Sequence, residues 1–226
     1  MPAGTLEVAA RLDHWICENA KSTRAYLKRI HELHPLARPL QEQQITELPR
    51  QVHKKGDHDG TFDARPLLAA AGHGHDMGLV SEAGMPAIAD PGSSVVRAAH
   101  DLGITVVALV GPASLLLALA SSGLNGQNFA FHGYLPQDEA ERAVRIRQLE
   151  ALALKTGQTQ LFIETPYRNS ALLAAFLGVL QDSTRLAVSW GLTLSQGCSR
   201  SAPVRQWKKD AAPLQNALPA VFAFGR

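Results

Sequence analysis

The chain has 226 residues, 46% hydrophobic and 19% charged, enough apolar matter for one large or two modest folded domains and too much for a disordered segment. A formal net charge of +2 announces no nucleic-acid binder, yet leaves room for one that uses a local basic patch. The two cysteines, Cys17 and Cys198, fit no metal spacing and no disulfide framework, which predicts a reducing cytoplasm and buried apolar roles for both.

At the N-terminus, MPAGTLEVAARLDHW lacks the basic, apolar and small-residue succession of a secretory signal. His14 to Cys17 reads as a short strand, and Ser22 or a neighbour caps a helix that runs to about Leu33. Leu36 to Leu48 is a connection containing Pro and Gln, and His53 to Thr61, HKKGDHDGT, is polar enough to be a mobile surface loop. A helix from about Phe62 to His73 leads into a strand at Gly78 to Ser81, followed by a helix at Ser93 to Leu102 and a strand at Ile104 to Leu109. Ile104 to Ala120 carries no charge, but Gly111 and Pro112 divide it into a β-branched half and a Leu/Ala half, so it reads as buried strand, turn and helix (Ala113 to Ser122) rather than a membrane span.

After the connector GLNGQN the pattern restarts, which sets the expected domain boundary: 1–126 and 127–226. The second half has a strand at Phe129 to Tyr134, a charged helix from Asp138 to about Leu154 and a strand at Thr159 to Ile163. A helix at Arg168 to Leu180 and strands at Arg185 to Ser189, near Ala202 to Gln206 and at Ala220 to Phe224 complete it. Such alternation predicts an α/β fold of two domains with mainly parallel sheets and helices on both faces.

Four loops share one chemistry. GLVSEAGMPAIADPG, Gly78 to Gly92, runs an apolar strand into bare Gly, Pro and Asp backbone, where open α/β sheets bind ligands. VGPAS (Val110 to Ser114), IETPYRN (Ile163 to Asn169) and WGLTLSQG (Trp190 to Gly197) also end strands in turn residues. Each alone is an ordinary tight turn; four at one edge of the sheets make a cleft. Dinucleotide, P-loop, zinc-protease and nucleophile-elbow motifs are absent, and the nine histidines form no metal spacing, so His53, His58, His73 and His75 read as solvated turn residues.

VSEAGMPAIADPG, VVALVGPASLLLALASSGL, FAFHGYLP and LFIETPYRN, in that order, resemble the tetrapyrrole methylase superfamily, in its branch of ribosomal RNA small subunit methyltransferase I. That resemblance implies two α/β domains, a cleft between them for S-adenosylmethionine, a homodimer, and methylation of a ribose 2′-hydroxyl of 16S rRNA in the small ribosomal subunit. It implies cofactor contacts at Ala83, Gly84, Met85, Pro86 and Ile88, at Ala113 and Ser114, at Glu164 and Leu192, and at Pro219 and Ala220. Methylation of a tetrapyrrole or other small molecule, or cofactor binding without activity, are the competing expectations.

Departures from the family pattern fall at three places. A first strand and loop of the type PTPIGN has no counterpart here, and its loss would expose a sheet edge. EDTRRTR is replaced by ENAKSTR, with Glu18, Thr23 and Arg24 kept, and RELTK by SWGLTL, which puts Gly191 and Leu194 where an acid and a lysine stand. For proton removal from the acceptor the candidates are Glu82 first, then Glu164 and His132, the last having a purely structural role as its alternative. For RNA the candidates are Glu18, Lys21 and Arg24, with Lys28 on the same helix face and Arg168 at the cleft mouth; a solvated helix face is the alternative.

Overall fold

Two separate sheets organise the chain in a computed structural model that describes residues 1–55, 57–210 and 217–226, the side chains of 53–55 excepted. The chain divides into the units Met1–Ala113 and Ser114–Arg226. This division precedes the expected boundary at 126/127, because the helix that begins at Ser114 packs its Leu115, Ala118 and Leu119 on strands of the second unit.

In the first unit, β1 (His14–Cys17) lies between β2 (Gln44–Glu47) and β3 (Met77–Val80), all parallel. Alternation along β1 sends neighbouring side chains to opposite faces. Trp15 packs with Ala9 and Ala10 of α1 (Ala3–Arg11) and with Leu27 and Ile30 of α2 (Ala20–Leu33). Ile16 joins Val52 of α3 (Arg50–Lys55), Leu68, and Val95, Ala98 and Ala99 on the far side. Gly78 is forced by this packing, since a Cβ there would come within 2.4 Å of the Trp15 ring. Asn19 caps α2 through Oδ1, which accepts from the backbone N–H of Lys21 and Ser22.

Several expectations change here. α1 falls in a segment with no expected element and β2 in an expected connection, and the expected helix from Phe62 is a 3₁₀ turn, Arg65–Leu68, followed by the short α4 (Ala69–Gly72). Pro66 near the start of that turn has no N–H to extend a regular helix backward. The polar stretch from His53 is not simply a surface loop: α3 covers its start, and Asp57 is buried against α5 (Ser93–Asp101). Gly56 and the side chain of His53 lie outside the described residues. Ile104 to Leu109 forms no strand, and Val106, Val107 and Val110 are exposed. β-branched residues favour a strand only when a neighbouring strand offers a ladder and a face to cover. Cys17 is buried and its thiol pushed up by that burial, whereas Cys198 is exposed rather than a core filler.

The second unit starts with α6 (Ser114–Ser122) and holds a five-stranded sheet. β4 (Phe129–Phe131) pairs in parallel with β5 (Thr159–Glu164), while β6 (Arg185–Trp190), β7 (Cys198–Pro203) and β8 (Ala220–Gly225) are joined by antiparallel ladders in the order β4-β5-β8-β6-β7. The mainly parallel expectation thus holds in the first unit, and the second sheet is mixed. Phe162, Phe222 and Phe224 face α7 (Glu139–Thr156), α8 (Asn169–Val179) and α9 (Val204–Lys209), whose Ile146, Phe176 and Trp207 complete that core. Leu161, Val221 and Ala223 face the opposite side and receive α6. The strand expected near Ala202 to Gln206 is instead the end of β7 followed by α9, because Val204 and Trp207 sit three apart and bury together at helical spacing. No helix among the described residues is long and apolar enough to cross a membrane.

Candidate functional site

In the first unit the carboxyl ends of β1 and β3 deliver Glu18 and Ser81 side by side, since Cys17 pairs with Val80. Glu18 Oε1 accepts from the backbone N–H of Glu82 at 3.1 Å, which ties the two strand ends together. Beyond them the chain makes a compact loop to Gly92. The Ser81 hydroxyl donates to Gly84 O at 3.2 Å, Ile88 N–H to Met85 O at 3.2 Å and Ala87 N–H to Pro91 O at 3.2 Å.

This loop is held in an uncommon backbone form. Ala87 and Ala89 have φ of 63° and 65°, a region that alanine seldom enters, and Gly84 has φ of 117°. Asp57 anchors the far end of the loop: its carboxylate accepts from Gly92 N–H and Ser94 N–H, each at 2.9 Å, and from the hydroxyls of Ser93 and Ser94. Burial pushes the Asp57 carboxyl up, but the bonds from Ser94, Ser93 and Gly92 outweigh it and hold the pKa at about 2.

Asp90, inside the loop, responds in the other direction. Burial and the negative charges of Glu18 and Glu82 push its carboxyl up to about 6, against the opposing influence of the nearby Ser81 hydroxyl. Its Oδ2 lies 3.9 Å from where a Cβ on Gly84 would stand. Loop, strand ends and carboxylates thus make a candidate site of exposed backbone with one acid poised near neutrality.

A second cluster of strand ends forms within the other unit by register alone. Glu164 and Trp190 both pair with Ala220, so the carboxyl ends of β5 and β6 and the start of β8 meet. Glu164 is buried; its Oε1 accepts from Thr165 N–H at 2.8 Å, and its Oε2 lies 3.1 Å from Arg168 Nη2 without hydrogen-bond alignment. Asn169 donates through Nδ2 to Leu218 O at 2.8 Å, leaving a buried Oδ1 with no partner among the described residues. Gly191 and Gly197 close the turn that carries Leu192, where a Cβ on Gly197 would come within 2.3 Å of Gly191 O.

The expected cofactor residues Ala83, Gly84, Met85, Pro86 and Ile88 therefore share one loop, and Glu164, Leu192, Pro219 and Ala220 share one sheet edge. Ala113 ends the first unit and Ser114 opens α6. Among the expected bases, Glu82 is exposed at the loop mouth and Glu164 faces Arg168. His132 is engaged structurally, with Nε2 2.6 Å from Gln160 Oε1 and its ring stacked on Phe162. Lys21, Arg24 and Lys28 are exposed on α2, opposite the buried Thr23, Leu27 and Ile30. The sequence reading missed Asp57 and Asp90. The first sat in a polar run, and the second stood before Pro91 as an ordinary turn residue; only its place between two strand-end glutamates could have marked it.

A sequence profile of the tetrapyrrole (corrin/porphyrin) methylases matches residues 3–198. The chain is 33% identical over 157 residues to ribosomal RNA small subunit methyltransferase I of Escherichia coli O157:H7, covering 68% of this chain and 54% of that protein. It is 31% identical over 188 residues to the protein of the same name from Mesorhizobium japonicum, covering 83% and 57%. Among solved structures, the methyltransferase CobJ superposes with a TM-score of 0.59 at 16% identity, covering all of this chain and 87% of that one, a likeness of fold. The chain belongs to the tetrapyrrole methylase family. It spans little more than half the length of the curated relatives it matches.

Proposed function

We propose that this chain is the S-adenosylmethionine-binding part of a methyltransferase that modifies a ribose 2′-hydroxyl of 16S rRNA, acting on the small ribosomal subunit in the cytoplasm as a homodimer. The observation that carries the reading is the Ser81 to Gly92 loop, which takes left-handed backbone at Ala87 and Ala89, is closed by the bond from Ala87 N–H to Pro91 O, and is anchored at Gly92 by the buried Asp57. Strain of this kind persists where surrounding structure over-determines it, and it gathers at ligand sites. The names of the relatives support the RNA substrate.

The residues present suit such a cofactor. The Ala83 to Ile88 backbone offers amides and carbonyls, and at Gly84 only Asp90 Oδ2 lies within 4 Å of where a Cβ would stand. Bound S-adenosylmethionine would supply an electrophilic methyl group on a sulfonium. The chain's own work is positioning and proton removal. Asp90 replaces Glu82 as the first choice of base: its carboxylate would accept the proton of the acceptor hydroxyl, whose oxygen would take the methyl group that the sulfonium supplies, leaving a neutral thioether. Lys21, Arg24 and Lys28, with Glu18 and Arg168 nearer the strand ends of their own units, serve the RNA.

One observation favours a small-molecule acceptor such as a tetrapyrrole, or cofactor binding without transfer: Leu194, exposed on its turn, carries no charge for a phosphate. Incubation with methyl-labelled S-adenosylmethionine and undermethylated small ribosomal subunits separates the readings. Label is expected in 16S rRNA; label only in an added tetrapyrrole, or in neither, would overturn the RNA assignment.

A further inference from the structure

Two histidines that lie far apart in the chain meet at the opposite end of the first unit's sheet from the loop just described. β1 begins at His14 and β3 at Met77, and these two residues are paired, so Asp13 and His14 come beside His75 at the amino ends of the strands. The rings of His14 and His75 are 4.5 Å apart between centroids at a tilt of 35°. One ligand-type atom from each of Asp13, His14 and His75 lies within 4.8 Å of the other two. We propose that His14, His75 and Asp13 form a binding site for a divalent cation of the zinc type.

The donor set is the first argument. Two imidazole nitrogens and a carboxylate oxygen suit zinc, which takes nitrogen and oxygen ligands at about 2.0–2.2 Å and completes its four positions with water. Order in the set is the second. Asp13 Oδ1 lies 2.7 Å from His14 Nδ1, and Arg38 Nε holds Asp13 Oδ2 at 2.8 Å, so both the carboxylate and the His14 ring are fixed before any ion arrives. Arg38, outside the ligand set, is the kind of hydrogen-bonding partner that orients a ligating carboxylate. His14 and Asp13 are mostly covered, with side chains 19% and 21% exposed, while His75 stands in solvent on the residue after Gly74, free to turn a nitrogen inward. A hollow lined by Val8, Arg11, Asp13, Gly74, His75 and Asp76 gives access. An ion there would pin the starts of β1 and β3 to each other, and through Asp13 to the Arg38 segment.

The test uses the full chain and zinc alone, titrated by calorimetry with the melting temperature followed in parallel. One zinc per chain with micromolar affinity and a raised melting temperature is expected. His75→Gln alters an exposed side chain, so it should leave the metal-free melting temperature unchanged and weaken binding by at least about tenfold; Asp13→Asn should weaken it by about 10–100-fold. Absence of saturable binding, or binding that His75→Gln leaves intact, would overturn the proposal. Neither outcome touches the methyltransferase reading, whose residues lie at the other end of the strands.

Discussion

Asp90 and Asp57 belong to one structural knot, and their surroundings drive them apart. For Asp90, with a folded pKa of about 6, the ionised base predominates above that value. The methyl-transfer rate should rise with pH through about 6 and then level off, and Asp90→Asn should remove that limb and slow transfer by about 100-fold. An acid whose pKa is raised on folding contributes stability at low pH that is lost as pH rises through the folded value. Asp90→Asn should therefore raise the melting temperature at pH 8 while it lowers the rate, a pairing that calorimetry and a rate assay on one preparation would check. Asp57 has the reverse sign. Its folded pKa of about 2 lies below the unfolded value, so its contribution is full above about pH 4 and drains away as pH falls through about 2. Asp57→Ala strands the N–H groups of Gly92 and Ser94 and should cost about 3 kcal/mol at pH 7 in urea unfolding.

Among the elements, α2 was legible and the segment after Gly103 was not. The spacing of Lys21, Arg24 and Lys28 could be read as one face because Thr23, Leu27 and Ile30 give the helix an apolar stripe on the other. If that basic face meets phosphates, Lys21→Glu and Lys28→Glu should each raise the KM for ribosomal subunits, lower the salt slope of binding by about 1, and spare kcat. Ile104 to Leu109 has the composition of a buried strand, yet composition cannot supply a partner, and pairing is decided between segments. Val107 is 71% exposed, so Val107→Lys should shift stability by no more than about 0.5 kcal/mol in urea unfolding, whereas a paired interior strand would lose several times that. The same limit explains β7 and α9, where a strand assignment ran past Pro203 into residues whose burial follows helical spacing.

For the molecule as a whole, the α/β class, the order of most elements and the loops at the strand ends could be read directly, because hydrophobic alternation and turn residues are local signals. The division at Ala113 could not, since it depends on which sheet α6 packs against. Nor could the Asp57 clasp, which joins residues far apart in sequence that no local pattern connects. Calorimetric titration of the whole chain with S-adenosylmethionine should give one site, and Gly84→Trp should abolish the heat, because a side chain at φ of 117° both strains the loop and fills it. Unchanged affinity would move the cofactor elsewhere.

The position of β8 has a consequence for how this protein is made. The strand occupies the centre of the second unit's sheet, laddered to β5 on one side and to β6 on the other, yet it follows the other four strands of that sheet in sequence. During vectorial synthesis β5 and β6 emerge long before the strand that joins them, and both must wait with open edges until residue 225 has been added. The first unit faces no such delay, so nascent chains should pass through a stage with one unit folded and the other awaiting closure. Proteolytic trimming before Ala220 would fix the chain in that stage and leave it prone to aggregation through the paired edges it never filled.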